Sequence, residues 1–279
     1  MVTAAGHIQV EAWCLRTLGR GTLTAFRSDA GGQMSNLFRF DSDERGTVAV
    51  KVRPDSRDRI NRCLQLQAIA ADAGFPCARP VTDADRLGPG MVVSAESWLP
   101  GGRMHPGGDL AFADRSASLL ADLAGILEAQ PPTGLGTPPP WMHWNPPTGS
   151  LWPPNPVVDA MDQDRVPRHL HTLARAVSDR LARAALPLVA GHGDWESQNL
   201  RWEGAAPWAV HDWDSLVALP AAAIVGAAAG AFASTTVPSL ASLESSEEFI
   251  DSYERARGHV FTTEEREVAW AASLWPALH

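Results

Sequence analysis

Two short stretches concentrate the side chains best able to do chemistry. The first is Gly191-His192-Gly193-Asp194-Trp195-Glu196-Ser197-Gln198-Asn199-Leu200, and the second, a short way downstream, is His211-Asp212-Trp213-Asp214. Apolar residues lead into both, Leu186 to Ala190 before the first and Trp208 to Val210 before the second. The acids therefore sit at the ends of short buried segments and not on a solvated face. Carboxylates buried together are costly unless a metal or hydrogen bonds compensate them, so a divalent cation is expected. Asn199 and Asp212 offer hard oxygen ligands, which suit Mg²⁺ or Mn²⁺ better than zinc. His192 and His211 are alternative zinc ligands, although a histidine beside glycine more commonly bonds backbone carbonyls.

A third feature is a single residue. Of 23 basic residues, 22 are arginine and one, Lys51, is lysine. A chain this biased toward arginine keeps a lysine where arginine cannot substitute, and a compact ammonium against phosphate in a narrow cleft is such a place. The bland alternative is a chance survivor on a solvated strand.

These residues need elements to hold them. Thr47-Val48-Ala49-Val50-Lys51-Val52 alternates as a strand, with Val48, Val50 and Val52 on one face and Ala49 with Lys51 on the other. Upstream, residues 22–27 and 36–40 read as two more strands joined by Asp29-Ala30-Gly31-Gly32-Gln33-Met34-Ser35, whose glycines let backbone N–H groups approach an anion. Taken alone, such a loop is only a turn. A helix is predicted over 55–73, ended by Gly74 and Pro76, then a strand over 90–94 and a connector at 95–102. Further helices are predicted over 111–128, 166–185 and 263–275. The last stands close to His279, as in a shortened chain. Ten of the 22 prolines fall within 131–156, interleaved with Trp141, His143, Trp144 and Trp152. That segment reads either as a surface loop anchored by tryptophans or as a substrate wall.

Composition bounds the rest. With 279 residues, 45% hydrophobic and 20% charged, the chain can bury a large core. Cys14, Cys63 and Cys77 are odd in number and widely spaced, which excludes a disulfide framework and suits the cytoplasm. A net charge of −9 argues against nucleic acid as a partner. The first residues do not read as a signal peptide. Residues 215–243 lack charge, but their Ala, Gly, Pro220 and Pro238 suit a small-residue core helix better than a membrane span.

His-Gly-Asp with Asn199 five residues after Asp194, Asp-Trp-Asp downstream and Val-Ala-Val-Lys upstream resemble the aminoglycoside phosphotransferase-like branch of the protein-kinase-like fold, which also holds choline, homoserine and sugar kinases. The resemblance covers most of the chain and implies an α+β bilobal fold. Residues 1–97 would form an antiparallel-sheet nucleotide-binding lobe, and residues 98–279 a mainly helical lobe with the catalytic loop and acceptor site. It further implies ATP or GTP as co-substrate with Mg²⁺ or Mn²⁺, and a small hydroxylated acceptor such as an aminoglycoside, amino sugar or choline-like alcohol. Asp194 then resembles the catalytic base, Asn199 and Asp212 the metal ligands, and Lys51 the phosphate contact. By the same resemblance Gly32 and Ser35 would lie on the phosphate-covering loop, and backbone groups from Glu96 to Trp98 would hold the base. Asp214, Trp195, Glu196, Trp141 and Trp144 are the substrate-side candidates. One departure stands out: the helix after the strand lysine reads Arg62-Cys63-Leu64-Gln65-Leu66-Gln67 and lacks the usual glutamate. Gln65, Gln67 or another acid is left to meet the ammonium.

Two other function classes remain open at this stage. A metal-dependent phosphoesterase would use His192, Asp194, His211 and Asp212. A nucleotide-binding pseudokinase would explain the missing glutamate.

Overall fold

The computed structural model describes residues 4–25, 36–105, 107–144, 151–152, 166–235, 237 and 239–278. The chain divides into two compact units, residues 1–103 with 201–214, and residues 104–200 with 215–279.

The first unit is built on a five-stranded antiparallel sheet in the order β1-β2-β3-β5-β4. The strands are β1 (Gly21–Ala25), β2 (Asn36–Ser42), β3 (Gly46–Pro54), β4 (Asp85–Gly88) and β5 (Met91–Ser97). The alternation predicted for β3 is observed. Val48, Val50 and Val52 pack with Phe38, Phe40, Val93 and Ala95 into a core that also takes Val10, Trp13 and Cys14 of helix α1 (Ala4–Thr17) and Leu18 just after it. Helix α2 (Arg57–Asp72) opens at Ser56, whose side chain accepts the Arg59 amide. Its Ile60 and Leu64 pack against Val92 of β5 and Ala84. Lys51 and Arg53 therefore share a sheet face with Ser94 and Glu96, since the register pairs Ala49 with Glu96 and Lys51 with Ser94.

Segment 201–214, read from sequence with the helical lobe, groups with this first unit. Its hairpin pairs β7 (Leu200–Glu203) with β8 (Ala206–Val210). The Val210 amide donates to Pro76 O at 2.7 Å, and Arg103 and Trp202 exchange both backbone hydrogen bonds.

The second unit is mainly helical: α3 (Leu110–Leu127), α4 (Arg168–Ala182), α5 (Ala221–Ala231), α6 (Leu243–Arg257) and α7 (Thr263–Leu278) surround a two-stranded sheet of β6 (Leu188–His192) and β9 (Leu216–Pro220). The uncharged stretch resolves into β9 and α5, and α5 is buried along almost all its length. Gly226 and Gly230 let it meet α7 backbone to backbone, for a Cβ at Gly226 would stand 2.0 Å from Ala269 O. No helix among the described residues is long and apolar enough to cross a membrane.

Candidate active site

In the second unit, β6 delivers His192 to the sheet end and the chain turns sharply into a loop at Gly193. Its amide donates to Ser215 O of β9's approach at 2.8 Å, and a Cβ there would stand 2.7 Å from Val217, so only glycine allows the turn. His192 is buried, and its Nδ1 accepts the Asp194 amide at 3.2 Å. That fixes the loop and gives His192 a structural role.

The loop is then held from several sides. Ser197 N donates to Phe232 O and Gln198 N to Ser234 O, at the end of α5. The Ser197 hydroxyl bonds His105 O. Asn199 Nδ2 donates to both Asp194 O at 2.9 Å and Asp194 Oδ2 at 2.8 Å. One amide thus sets the orientation of the Asp194 carboxylate, and with its nitrogen turned to Asp194, Asn199 has its oxygen as the remaining donor for a hard cation. Glu196 is partly buried beside them. Burial raises its pKa above the ordinary glutamate value, and a hydrogen bond from Gln198 opposes the rise.

The tryptophans distribute unevenly. Trp195 is 2% exposed, and its Nε1 donates to Ser116 O and Oγ. It is a core residue, which corrects its reading as a substrate surface. Trp144 is also buried, with its carbonyl taken by Ser178 Oγ, so it anchors the proline-rich segment. Trp141 donates from Nε1 to Gly193 O at 2.9 Å and braces the loop that carries Asp194.

The first unit carries the second set of charges. Lys51 Nζ lies 3.2 Å from Glu96 Oε1 and 4.0 Å from Asp214 Oδ1. Burial alone would lower the lysine's basicity, but Glu96, Asp214 and Asp212 outweigh it and hold Lys51 above its usual value. Burial likewise pushes Glu96 upward, yet Lys51 and a hydrogen bond from Gln67 bring it below the ordinary range. Asp214 is gripped by Arg53 Nε at 3.2 Å, and its backbone carbonyl takes Arg59 Nη2 at 2.7 Å. Its carboxyl is depressed against burial chiefly by Arg53 and then Lys51, so Asp214 is an internal counterion and not a substrate contact. Asp212 adopts φ +63°, a left-handed conformation that aspartate tolerates better than most residues. His211 is held neutral, its pKa lowered to about 4 by burial and by Lys51.

Two expectations change here. Ser97 N donates to Arg79 O at 2.8 Å and Trp98 N to Thr47 O at 3.3 Å, so those amides are engaged within the protein and not presented to a base. Neither helix glutamine meets the ammonium: Gln65 accepts from Arg62, and Gln67 donates to Glu96 Oε2. The acid of Glu96 was read only as a backbone position. No local sequence signal marks it, because the register that sets Glu96 opposite Ala49 comes from the strand pairing. Gly32 and Ser35 lie outside the described residues.

A sequence profile described as the phosphotransferase enzyme family (APH) matches residues 26–276. The chain belongs to that family. Among curated proteins no match is found. Amicoumacin kinase hAmiN, solved with AMP-PNP, Ca²⁺ and Ami, superposes with TM-score 0.66 at 9% identity, covering 98% of this chain and 83% of that one. The aminoglycoside-3′-phosphotransferase of type VIII gives 0.58 at 13% identity, covering 99% and 100%. A choline/ethanolamine kinase family protein from Mesorhizobium loti gives 0.56 at 16% identity, covering 100% and 83%. At these identities the likeness shows a shared kinase-like α+β fold. Membership in the family supports a small-molecule phosphotransferase. No group of three or more His, Cys, Asp and Glu side chains that could hold a metal occurs among the described residues.

Proposed function

We propose that this chain transfers the γ-phosphate of ATP or GTP to a hydroxyl of a small molecule, of the aminoglycoside, amino-sugar or choline-like class. The observation that carries the reading is the Asn199 amide clamped across Asp194, which aims one carboxylate from a loop braced at both ends. Residues 1–97 bind the nucleotide in this reading, and residues 98–279 carry the catalytic loop and acceptor site. A cytoplasmic setting suits the three free cysteines.

Phosphoryl transfer asks for in-line positioning and charge stabilisation more than for a protein nucleophile. The acceptor oxygen forms a bond to the γ-phosphorus as the bond from that phosphorus to the β,γ-bridging oxygen breaks. The hydroxyl proton passes to Asp194. Lys51 supplies positive charge to the nucleotide phosphates, and Asp214 with Glu96 keeps that ammonium charged. Glu196, two residues from Asp194, is the acid placed for an acceptor amine. Asn199 and Asp212 would hold Mg²⁺ or Mn²⁺ through hard oxygens. The ion would neutralise phosphate charge, taking part of its coordination from the nucleotide.

The test is a phosphorylation screen of hydroxyl-bearing metabolites and antibiotics with both nucleotides, followed by Asp194→Asn on the best acceptor. A loss of about 100-fold or more in kcat with nucleotide binding retained is expected. A loss within about threefold would show that Asp194 is not the base.

A further inference from the structure

Helix α2 runs Arg57–Asp72 without a glutamate, yet the buried ammonium of Lys51 has a close carboxylate. It is Glu96, one strand away. The two side chains are 12% and 9% exposed, and their charged atoms are 3.2 Å apart. Asp214 is the other acid within reach, at 4.0 Å, but its second oxygen is committed to Arg53. Glu96 is itself held: Gln67 of α2 donates from the same nitrogen to Glu96 Oε2 at 2.9 Å and to Ala78 O at 2.8 Å.

The placement of that acid matters because of what carries it. Ala49 pairs with Glu96 and Lys51 with Ser94, so Lys51 and Glu96 are diagonal neighbours on one face of adjoining strands. Their separation is set by the hydrogen-bonded ladder and does not rest on the position of a helix. Resting on the phosphotransfer reading above, we propose that Glu96 is the positioning residue for Lys51, fixing its ammonium for the nucleotide phosphates from within the sheet, with Gln67 fixing Glu96 in turn. The absence of a helix glutamate is then a relocation of the acid and not a loss of function. Lys51 also faces Arg53 from its own strand and Asp212 from the 201–214 segment, and His211 of that segment faces Glu96.

Because Glu96 and Gln67 already touch, the acid and the amide can be exchanged. The experiment compares Glu96→Gln, Glu96→Asp, Gln67→Ala and the double variant Glu96→Gln/Gln67→Glu, each in the full chain and each checked for folding by thermal melting. Glu96→Gln is expected to lower kcat/KM for nucleotide by about 10- to 100-fold, with the acceptor KM unchanged. The double variant returns at least about tenfold of this, and Gln67→Ala loses less than Glu96→Gln. A second readout is independent of turnover. The chain has one lysine, so biosynthetic labelling with [13Cε]lysine gives a single side-chain resonance. Its titration midpoint should fall in Glu96→Gln and recover in the double variant. If the wild type transfers no phosphate but the lysine signal behaves so, the phosphotransfer reading has failed while Glu96 remains the lysine anchor. A folded Glu96→Gln, or Glu96→Asp should the former not fold, with nucleotide KM within about threefold of wild type and an unmoved lysine midpoint overturns the proposal. So does a folded double variant without recovery, because Glu96 would then serve the fold and not the ammonium.

Discussion

Gly226→Ala tests how the fold holds the loop that carries Asp194 and Asn199. The added methyl would stand 2.0 Å from Ala269 O, 2.6 Å from its carbonyl carbon and 2.7 Å from its Cα. All three atoms are main chain, so no rotamer can relieve the contact. Helices α5 and α7 must separate by about 1 Å to restore ordinary van der Waals distances. Overpacking of this kind costs about 3 kcal/mol, at the upper end of the usual range, because the displaced bodies are whole helices. For a chain of this size that is roughly 6–12 °C in Tm. Activity should fall as well, for the end of α5 accepts the amides of Ser197 and Gln198 through Phe232 O and Ser234 O. Gly88→Ala is the control, since a Cβ there meets nothing within 4 Å. Ala269→Gly should not rescue Gly226→Ala, because the side chain of residue 269 is not what clashes. Calorimetry or a thermal-shift assay reads the first effect and steady-state turnover the second. A Gly226→Ala protein that melts with the wild type and turns over normally would refute the close helix contact and the bracing role derived from it.

Trp195→Phe should cost about 1–3 kcal/mol, because the Ser116 carbonyl and hydroxyl lose the indole N–H in a buried site. The acceptor KM should stay put, and a raised KM with unchanged Tm would return Trp195 to the substrate. The thiols of Cys14, Cys63 and Cys77 are each pushed up to about 12, in each case foremost by burial. Raising a thiol pKa lowers its thiolate fraction at neutral pH. Against an ordinary thiol value of 9.0, native alkylation by iodoacetamide should be slowed about a thousandfold at pH 8, recovering in urea or toward pH 12. Rapid native labelling of Cys77, which is only partly buried, would contradict this.

Much of the site was legible because its signals are local. The period of two in 47–52 placed Lys51 opposite the valine core, and the spacing of Asp194 and Asn199 anticipated a pair that the structure joins by hydrogen bonds. Helix α2 was also foreseen, since Gly74, at φ +84°, and Pro76 punctuate its end. Long-range partners were not legible. Nothing in the sequence around Glu96 says that its side chain reaches across to Lys51, and nothing around Trp195 distinguishes a core indole from an exposed one beside a catalytic acid. Helix α1 escaped notice because its residues carry no acidic first turn and only a faint apolar stripe, and it is stabilised by packing of Val10, Trp13 and Cys14 on the core side of the sheet. The role of segment 201–214 was hidden for the same reason: its ties run to Pro76 and Arg103, far upstream.

That segment makes the polypeptide pass between its two units three times, after residues 103, 200 and 214. An expression fragment stopped at residue 103 would leave Arg53 sequestered without the carboxylate that neutralises it, and would strip Pro76 of its amide partner. Recombination after residue 103 or after residue 200 would separate Asp214 from Lys51 and Arg53, whereas a crossover after residue 214 would keep the three together. Exchange of halves between relatives should therefore succeed only when residues 201–214 travel with the strands they serve.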